Sequence, residues 1–330
     1  MCWLGCGKGA GHVFGILKVF YAQAPILPSN QYPLGALPAR FRRERLLIVG
    51  CGDVGLRVAR AVAGRVRVLA LTSSPERMDV LRQQGITPLP GNLDAPETLR
   101  RLAGIATRVV HLAPPPAEGA VDQRTRALNA ALRLRTVPLS YLYGSTSGVY
   151  GDCNGEIATE TRAVNADTTR ATRRIDAERR VRHLGRATGV RSMILRIPGI
   201  YAPDREGGTP RARLLKRTPV LQAADDVYTN HIHADDLARA CVRALWRGRP
   251  QRIYNINDDT QLKMGDYFDL AADLYGLPRP PRVPRNTAQE QLPLLLLSFM
   301  RESRLLDNTR MKQELKLVLR YPTVETGLLF

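Results

Sequence analysis

From Arg45 onward, short apolar runs that end in glycine alternate with stretches of helical period. "RLLIVG" is an apolar run closed by Gly50, and "DVGLRVARAVAG" then sets apolar residues at helical spacing and stops at Gly64. "VRVLAL" (66–71) predicts a second strand, and "PERMDVLRQQG" (75–85) a helix closed by Gly85. "ITPLP" is a short third strand, and "APETLRRLAG" predicts a helix with its own terminal glycine. "TRVVHLA" (107–113) and "LSYLYGS" (139–145) are further strands, with a helix around 121–135 between them. A helix from about Thr168 to Arg186, a strand in "VRSMILRI" (190–197), an amphipathic helix in "ADDLARACVRALWRG" (234–248) and a late strand in "RIYNI" (252–256) follow. Strands alternating with helices of about ten to fifteen residues predict an α/β fold with a parallel sheet covered on both faces. The strands show little polar alternation, as such double burial requires.

The first forty residues do not share this pattern. They are rich in Gly and Pro and lack a steady period, so residues 1–43 are expected to form a disordered extension outside the fold. "LPLLLLSFM" at 292–300 is too short to span a bilayer and predicts a buried helix or an interface.

Composition narrows the function classes. The 330 residues suffice for one large α/β domain or two ordinary ones, and 44% are apolar, enough for a core. The formal net charge of +19 comes almost wholly from arginine and favours an anionic partner. No aromatic platform or recognised reading motif accompanies that charge, so nucleic acid is not the expected partner, and neither is a membrane. Cys2, Cys6, Cys51, Cys153 and Cys241 are an odd, scattered set. They argue against a disulfide framework and a structural zinc site, and for a reducing cytoplasm.

Candidate chemistry begins at "LLIVGCGDVG". Gly50, Gly52 and Gly55 make a G-x-G-x-x-G turn that follows a strand and opens a helix, with Asp53 and Val54 between the glycines. In that context Gly50 allows the tight turn and Gly52 leaves room for a pyrophosphate. Gly55 lets the helix pack close, and the free N–H groups with the helix dipole receive the anion. At the end of the second strand, where an acidic residue would hold ribose hydroxyls, the chain reads "LTSSPERM". Ser73 and Ser74 are neutral, and Arg77 is the nearest charge, which favours the 2′-phosphate of NADP over NAD while leaving NAD open. Asn92 and Leu93 in "GNLDAPETL" are expected near an adenine. Ala113 and Pro114 in "VVHLAPPP" are expected along the cofactor at the sheet's carboxyl edge.

With "STSGVYGD", "LRIPGIYAPDR", "NHIHADDLARA" and "YNINDD" following in order, the chain from Arg45 onward resembles the extended short-chain dehydrogenase/reductases, the NAD-dependent epimerase/dehydratase family. The aspartate inside its glycine motif is similar to an atypical, YeeZ-like branch. The resemblance implies a Rossmann-type doubly wound domain over 44–201 and a smaller C-terminal α/β substrate domain over 202–330, with 230–257 returning to the first sheet. It also implies oxidation, reduction, epimerisation or dehydration of a small, sugar-derived carbonyl or alcohol, a cofactor contact at Pro198, and a homodimer through the long helices. In such relatives a Ser or Thr positions the substrate oxygen, Tyr transfers a proton and Lys supports both. Thr146, beside Ser145, falls on the first position. The Tyr-x-x-x-Lys pair maps to Arg170 and Arg174 in "DTTRATRRIDAE", and no Tyr-x-x-x-Lys occurs anywhere in the chain.

Arg174 can hold ribose hydroxyls, but Arg170 cannot act as a general acid near neutral pH. Tyr150, or Tyr143, is then the expected phenol. His231 and His233, with Asp235 and Asp236, fit a strand entering a helix better than a metal site. Asp176 and Glu178 are expected to form surface pairs with nearby arginines. Arg205, Arg211, Arg213, Lys216 and Arg217 make a basic segment that either meets substrate phosphates or is solvated. Cys153 lacks a neighbouring base and is not expected to be a nucleophile.

Overall fold

The computed structural model describes residues 44–329; the extension expected over 1–43, with Cys2 and Cys6, lies outside them. Seven strands form one sheet: β1 (Arg45–Val49), β2 (Arg67–Thr72), β3 (Thr87–Pro90), β4 (Arg108–His111), β5 (Ser140–Thr146), β6 (Arg191–Ile197) and β7 (Arg252–Asn255). Their order is β7-β6-β5-β4-β1-β2-β3, and every pairing is parallel. The order reverses between β1 and β4. A crevice therefore opens there above the carboxyl ends of the strands, where ligands of doubly wound sheets bind.

Burial on both faces explains the apolar strands. Along β1, Leu46 and Ile48 join one core cluster while Leu47 and Val49 join the other. The first cluster is closed by α1 (Asp53–Ala61) and α6 (Ala234–Arg247), through Val58, Leu237 and Leu245. The second is closed by α3 (Gln123–Leu132) and α4 (Thr169–Thr188), through Leu128, Leu132, Val181 and Leu184. Between β2 and β3 runs α2 (Arg77–Gln83). "APETLRRLAG" forms a 3-10 helix, Pro96–Leu102, rather than an α-helix. Thr98 donates its hydroxyl to the Ala95 carbonyl at 2.7 Å, a local bond that competes with α-helical pairing.

After β6 the chain builds a separate apolar cluster from Tyr201, α5 (Arg211–Leu215), α7 (Met264–Tyr275), α8 (Arg285–Gln291) and α9 (Leu294–Phe299). The apolar run of 292–300 is only half covered: Leu297 is buried, whereas Leu294 and Phe299 are exposed. Residues 305–306 then pair in parallel with 157–158. The following α10 (Thr309–Leu315) returns to the main sheet, placing Met311, Leu315 and Leu317 in the β1 cluster. This second return lies beyond the 230–257 segment expected to rejoin the sheet, and it follows from the apolar spacing of "MKQELKL". The chain closes on α11 (Val324–Leu328), packed on α7.

Candidate functional site

The glycine turn between β1 and α1 has the conformation its sequence asks for. Gly50 lies at φ +87°, and a Cβ there would come within 2.3 Å of the Ala113 nitrogen. A Cβ on Gly55 would meet the Gly50 carbonyl at 3.0 Å, so α1 packs tightly against the turn. Gly52 differs: nothing stands within 4 Å of where its Cβ would be. No side chain caps α1, so its N-terminus faces this open space. The turn forms the floor of a cleft of about 320 Å³. Of the residues expected there, Gly50, Gly52, Asp53, Val54, Gly55, Thr146, Arg174 and Pro198 line it. Open space at Gly52 beside the free N–H groups of an uncapped helix is the kind of place that suits a phosphate.

The other expected cofactor residues lie outside this cleft. Ser73 and Ser74 follow β2, and the exposed Arg77 reaches back from α2 to donate to the Cys51 carbonyl at 2.7 Å. Its guanidinium is thereby fixed beside the glycine turn. Asn92 turns its side chain onto the Asp94 N–H, Leu93 packs on the core cluster, Ala113 is buried beneath Gly50, and Pro114 accepts from Arg124.

A larger chamber of about 600 Å³ shares Thr146, Arg174, Pro198, Ile200 and Arg205 with the cleft and extends toward the C-terminal cluster. Thr146 ends β5 and accepts from the Gly148 N–H at 3.3 Å, which leaves its own proton free to donate. Arg174 on α4 donates to the Gly144 carbonyl at 2.7 Å and the Tyr143 phenol at 3.1 Å. Arg170, one turn earlier, lies 5.3 Å from the Phe299 ring centroid and also lines the chamber.

Two expectations for this region need correction. Tyr150 is not brought to the chamber: it is 1% exposed, and its hydroxyl donates to Asn255 Oδ1 at 2.7 Å. The 3-10 turn 147–150 rotates the ring into a small cluster with Cys153 and Leu306, under the Arg196 guanidinium. Glu178 is not a surface residue. It pairs with Arg196 of β6 at 2.8 Å, both buried, and accepts the Ser145 hydroxyl at 2.6 Å. Asp176 does form an ordinary helix pair, with Arg180 at 2.6 Å.

The chamber's charges come from elements distant in sequence. Arg213 on α5 places its guanidinium 4.2 Å from the Phe268 ring centroid, and its Nε and Nη2 are buried without a hydrogen-bond partner. Burial pushes its pKa below the ordinary arginine value. Glu302 is the only carboxylate among the described residues that line this chamber. Its Oε2 and Thr146 Oγ1 lie 4.0 and 3.6 Å from one point, the place a Cβ on Gly148 would occupy. Arg304 pairs with Glu302 at 2.7 Å and anchors itself on the Gly151 carbonyl at 2.5 Å. Ser303 is held by Asp152 at 2.8 Å and by the Cys153 and Gly155 N–H groups, so the loop carrying Glu302 is stapled to residues 152–155, beyond the 3-10 turn that follows β5. Sequence reasoning missed Glu302, because no local pattern brings residues 302–304 there.

His231 and His233 have separate roles. His231 stacks on Tyr267 with 4.2 Å between ring centroids, lines the chamber, and has its pKa pushed down to about 4 by burial. His233 caps α6, accepting from the Asp235 N–H at 3.2 Å. Among the described residues, no group of three or more His, Cys, Asp or Glu is arranged to hold a metal ion. Cys153 is buried, and burial raises its thiol pKa. No described helix is long and apolar enough to cross a membrane.

Comparison with known proteins agrees with this fold. Residues 46–257 match the model of the NAD dependent epimerase/dehydratase family. A solved structure of a conserved protein of unknown function from Silicibacter pomeroyi DSS is 26% identical, with a TM-score of 0.69 over 86% of this chain and 96% of that one. UDP-glucuronic acid 4-epimerase from Bacillus cereus, solved in complex with NAD, shares the fold at 16% identity, with a TM-score of 0.68 over 86% and 96% of the two chains. A nucleoside-diphosphate-sugar epimerase from Pseudomonas aeruginosa does so at 20% identity and 0.71, over 87% and 95%. Among curated proteins, none matches the chain.

Proposed function

The chain belongs to the NAD dependent epimerase/dehydratase family, and from that premise we propose that it is an NADP-dependent oxidoreductase or epimerase of a small, anionic, sugar-derived substrate. The observation that carries the cofactor reading is the open space over Gly52 at the uncapped N-terminus of α1. When bound, the dinucleotide supplies hydride chemistry at its nicotinamide ring. Arg77, fixed on the Cys51 carbonyl, would meet the 2′-phosphate, and Arg174 would hold the nicotinamide ribose hydroxyls.

The chain's own groups would handle the substrate in the larger chamber. Thr146 donates its hydroxyl proton to the substrate oxygen. Glu302, the only carboxylate among the described residues that line this chamber, would take over proton handling from the absent tyrosine. Arg213, which lines the chamber and has two guanidinium nitrogens buried without a partner, would pair with an anionic group of the substrate. Sugar nucleotides, the substrates of several proteins sharing this fold, are therefore the first class to try. The buried thiols of Cys51, Cys153 and Cys241 support a cytoplasmic setting. A homodimer through α3 and α4 belongs to the same reading. Arg126, Arg133 and Arg179 crowd that face, so added salt should favour pairing.

Titration with NADPH and NADH, followed by nicotinamide fluorescence, tests the cofactor. No binding of either at ~1 mM, a generous ceiling for such sites, sinks the proposal. A second reading, a dinucleotide-binding sensor without turnover, is favoured by the two arginines that stand where Tyr and Lys would be. Turnover of any sugar nucleotide that disappears in Thr146→Ala or Glu302→Gln excludes it.

A further inference from the structure

Asp53 opens α1 and lines the cleft at the place where a pyrophosphate would rest. A helix N-terminus attracts anions through its dipole and free N–H groups, so a fixed carboxylate there competes with a bound phosphate. Asp53 Oδ1 accepts from Arg57 Nε at 3.1 Å. Its Oδ2 is buried without a hydrogen-bond partner, and Arg205 Nε stands 3.8 Å away.

The two arginines differ in what they can offer a phosphate. Arg57 is buried and committed to Asp204 at 2.6 Å and Asp235 at 2.5 Å, besides Asp53. Burial works against its charge, but those three carboxylates more than offset it and hold its pKa above the ordinary value. Arg205 is loosely held. Apart from Asp53, it donates to the Ile200 carbonyl at 3.3 Å, and it lines both the cleft and the larger chamber. Asp204 and Asp235 lie outside the cleft and occupy Arg57, so Asp53 is the one carboxylate among the described residues that line it, with Arg205 as its loosely held neighbour.

We propose that Asp53 is a resident anion at the N-terminus of α1 and that Arg205 is a pyrophosphate clamp, which leaves Asp53 for the phosphate oxygens when a dinucleotide binds. The inference rests on the dinucleotide reading given above. It assigns opposite signs to two neighbouring residues: removing the Arg205 charge weakens binding, and removing the Asp53 charge tightens it. Asp53→Asn keeps the side chain's shape and leaves Arg57 two carboxylates, so the fold survives the change.

Calorimetric titration of the full chain with NADP+, NAD+, ADP and adenosine 2′-phosphate tests this, with thermal melting as the control for folding. Arg205→Ala should weaken both dinucleotides and ADP by about tenfold or more, the size of a lost charge-assisted contact, and leave adenosine 2′-phosphate unchanged. Asp53→Asn should tighten the dinucleotides and ADP by roughly two- to tenfold, most strongly at low salt. Wild-type affinity for the dinucleotides and ADP in Arg205→Ala overturns the clamp, as does an equal loss for all four ligands. Weaker binding in Asp53→Asn overturns the resident-anion role. If the wild-type chain binds neither dinucleotide, it is the cofactor reading itself that falls.

Discussion

Arg174 Nη1 lies 3.1 Å from the Tyr143 phenol oxygen and 2.7 Å from the Gly144 carbonyl, which straps α4 to the carboxyl end of β5. Burial pushes the Tyr143 phenol above its ordinary pKa although Arg174 pulls it down, so the phenol stays neutral and accepts the bond. Tyr143 is fully buried, which makes it a positioning residue for Arg174 rather than a proton donor. Arg174→Ala should lower dinucleotide affinity about ten- to a hundredfold, and Tyr143→Phe should cost only about 1 kcal/mol of stability with a smaller loss of affinity. Fluorescence titration and urea unfolding separate the two. Equal affinity losses in the two variants would show that the phenol itself touches the cofactor.

The glycines of the turn should separate folding from binding. Gly50→Ala puts a methyl 2.3 Å from the Ala113 nitrogen at φ +87°, and the atoms it meets are all backbone. Its cost should be on the order of 2–5 kcal/mol, the sum of left-handed strain and overpacking. Gly52→Ala meets nothing within 4 Å. It should melt within about 0.5 kcal/mol of wild type, as surface substitutions do, yet lose dinucleotide affinity by roughly tenfold or more. Urea unfolding and calorimetry on the same two preparations check both halves.

These contrasts mark how far the sequence could be read. Strands, crossovers and the glycine turn are local events, written in apolar runs and terminal glycines, and β1 to β7 fall where those runs lie. Even the failure of Tyr-x-x-x-Lys is visible, because the motif is a spacing. Glu302 is different. It enters the chamber through the pairing of 305–306 with 157–158 and the bonds of Ser303, all long-range contacts of two or three residues with no period of their own. The same holds for Tyr150, whose position in "GVYG" gives no sign that Asn255, 105 residues later, takes its hydroxyl. Arg213 is legible as a charge, but its lack of a partner is a property of the packed chamber.

That unpartnered guanidinium should make Arg213 a site where stability and binding oppose each other. Buried donors without acceptors cost about 1–3 kcal/mol, and the contact with Phe268 returns roughly 0.5–2 kcal/mol. Arg213→Met, similar in reach and without donors, should therefore gain on the order of 1 kcal/mol in urea unfolding. It should also abolish any rise in melting temperature that millimolar UDP produces in the wild type. A destabilised Arg213→Met would mean that the side chain is satisfied in solution and does not wait for an anion.

Stability should depend on pH from both directions, for different groups. His111 and His231 are buried and neutral, with pKa values pushed down to about 3 and about 4, whereas unfolded histidine titrates near ~6.5. Below ~6.5 the unfolded chain takes up protons that the folded chain refuses, so stability falls with pH until those lower values are reached. Asp258 works the other way. Burial raises its carboxyl to about 8, against ~3.9 unfolded, so from pH ~4 upward the unfolded chain loses a proton that the folded chain keeps. The folded state gives up stability across that whole window, up to pH ~8, beyond which both forms are ionised. Asp258→Asn keeps the acceptor for the Thr260 N–H, which Oδ1 now meets at 3.0 Å, and removes the titration. The variant should match wild type near pH 4 and melt higher at pH 8, by about 2–4 °C for each kcal/mol regained. Calorimetric scans at pH 4, 6 and 8 decide it: a constant difference between the two proteins across that range would mean that Asp258 is ionised in the folded chain.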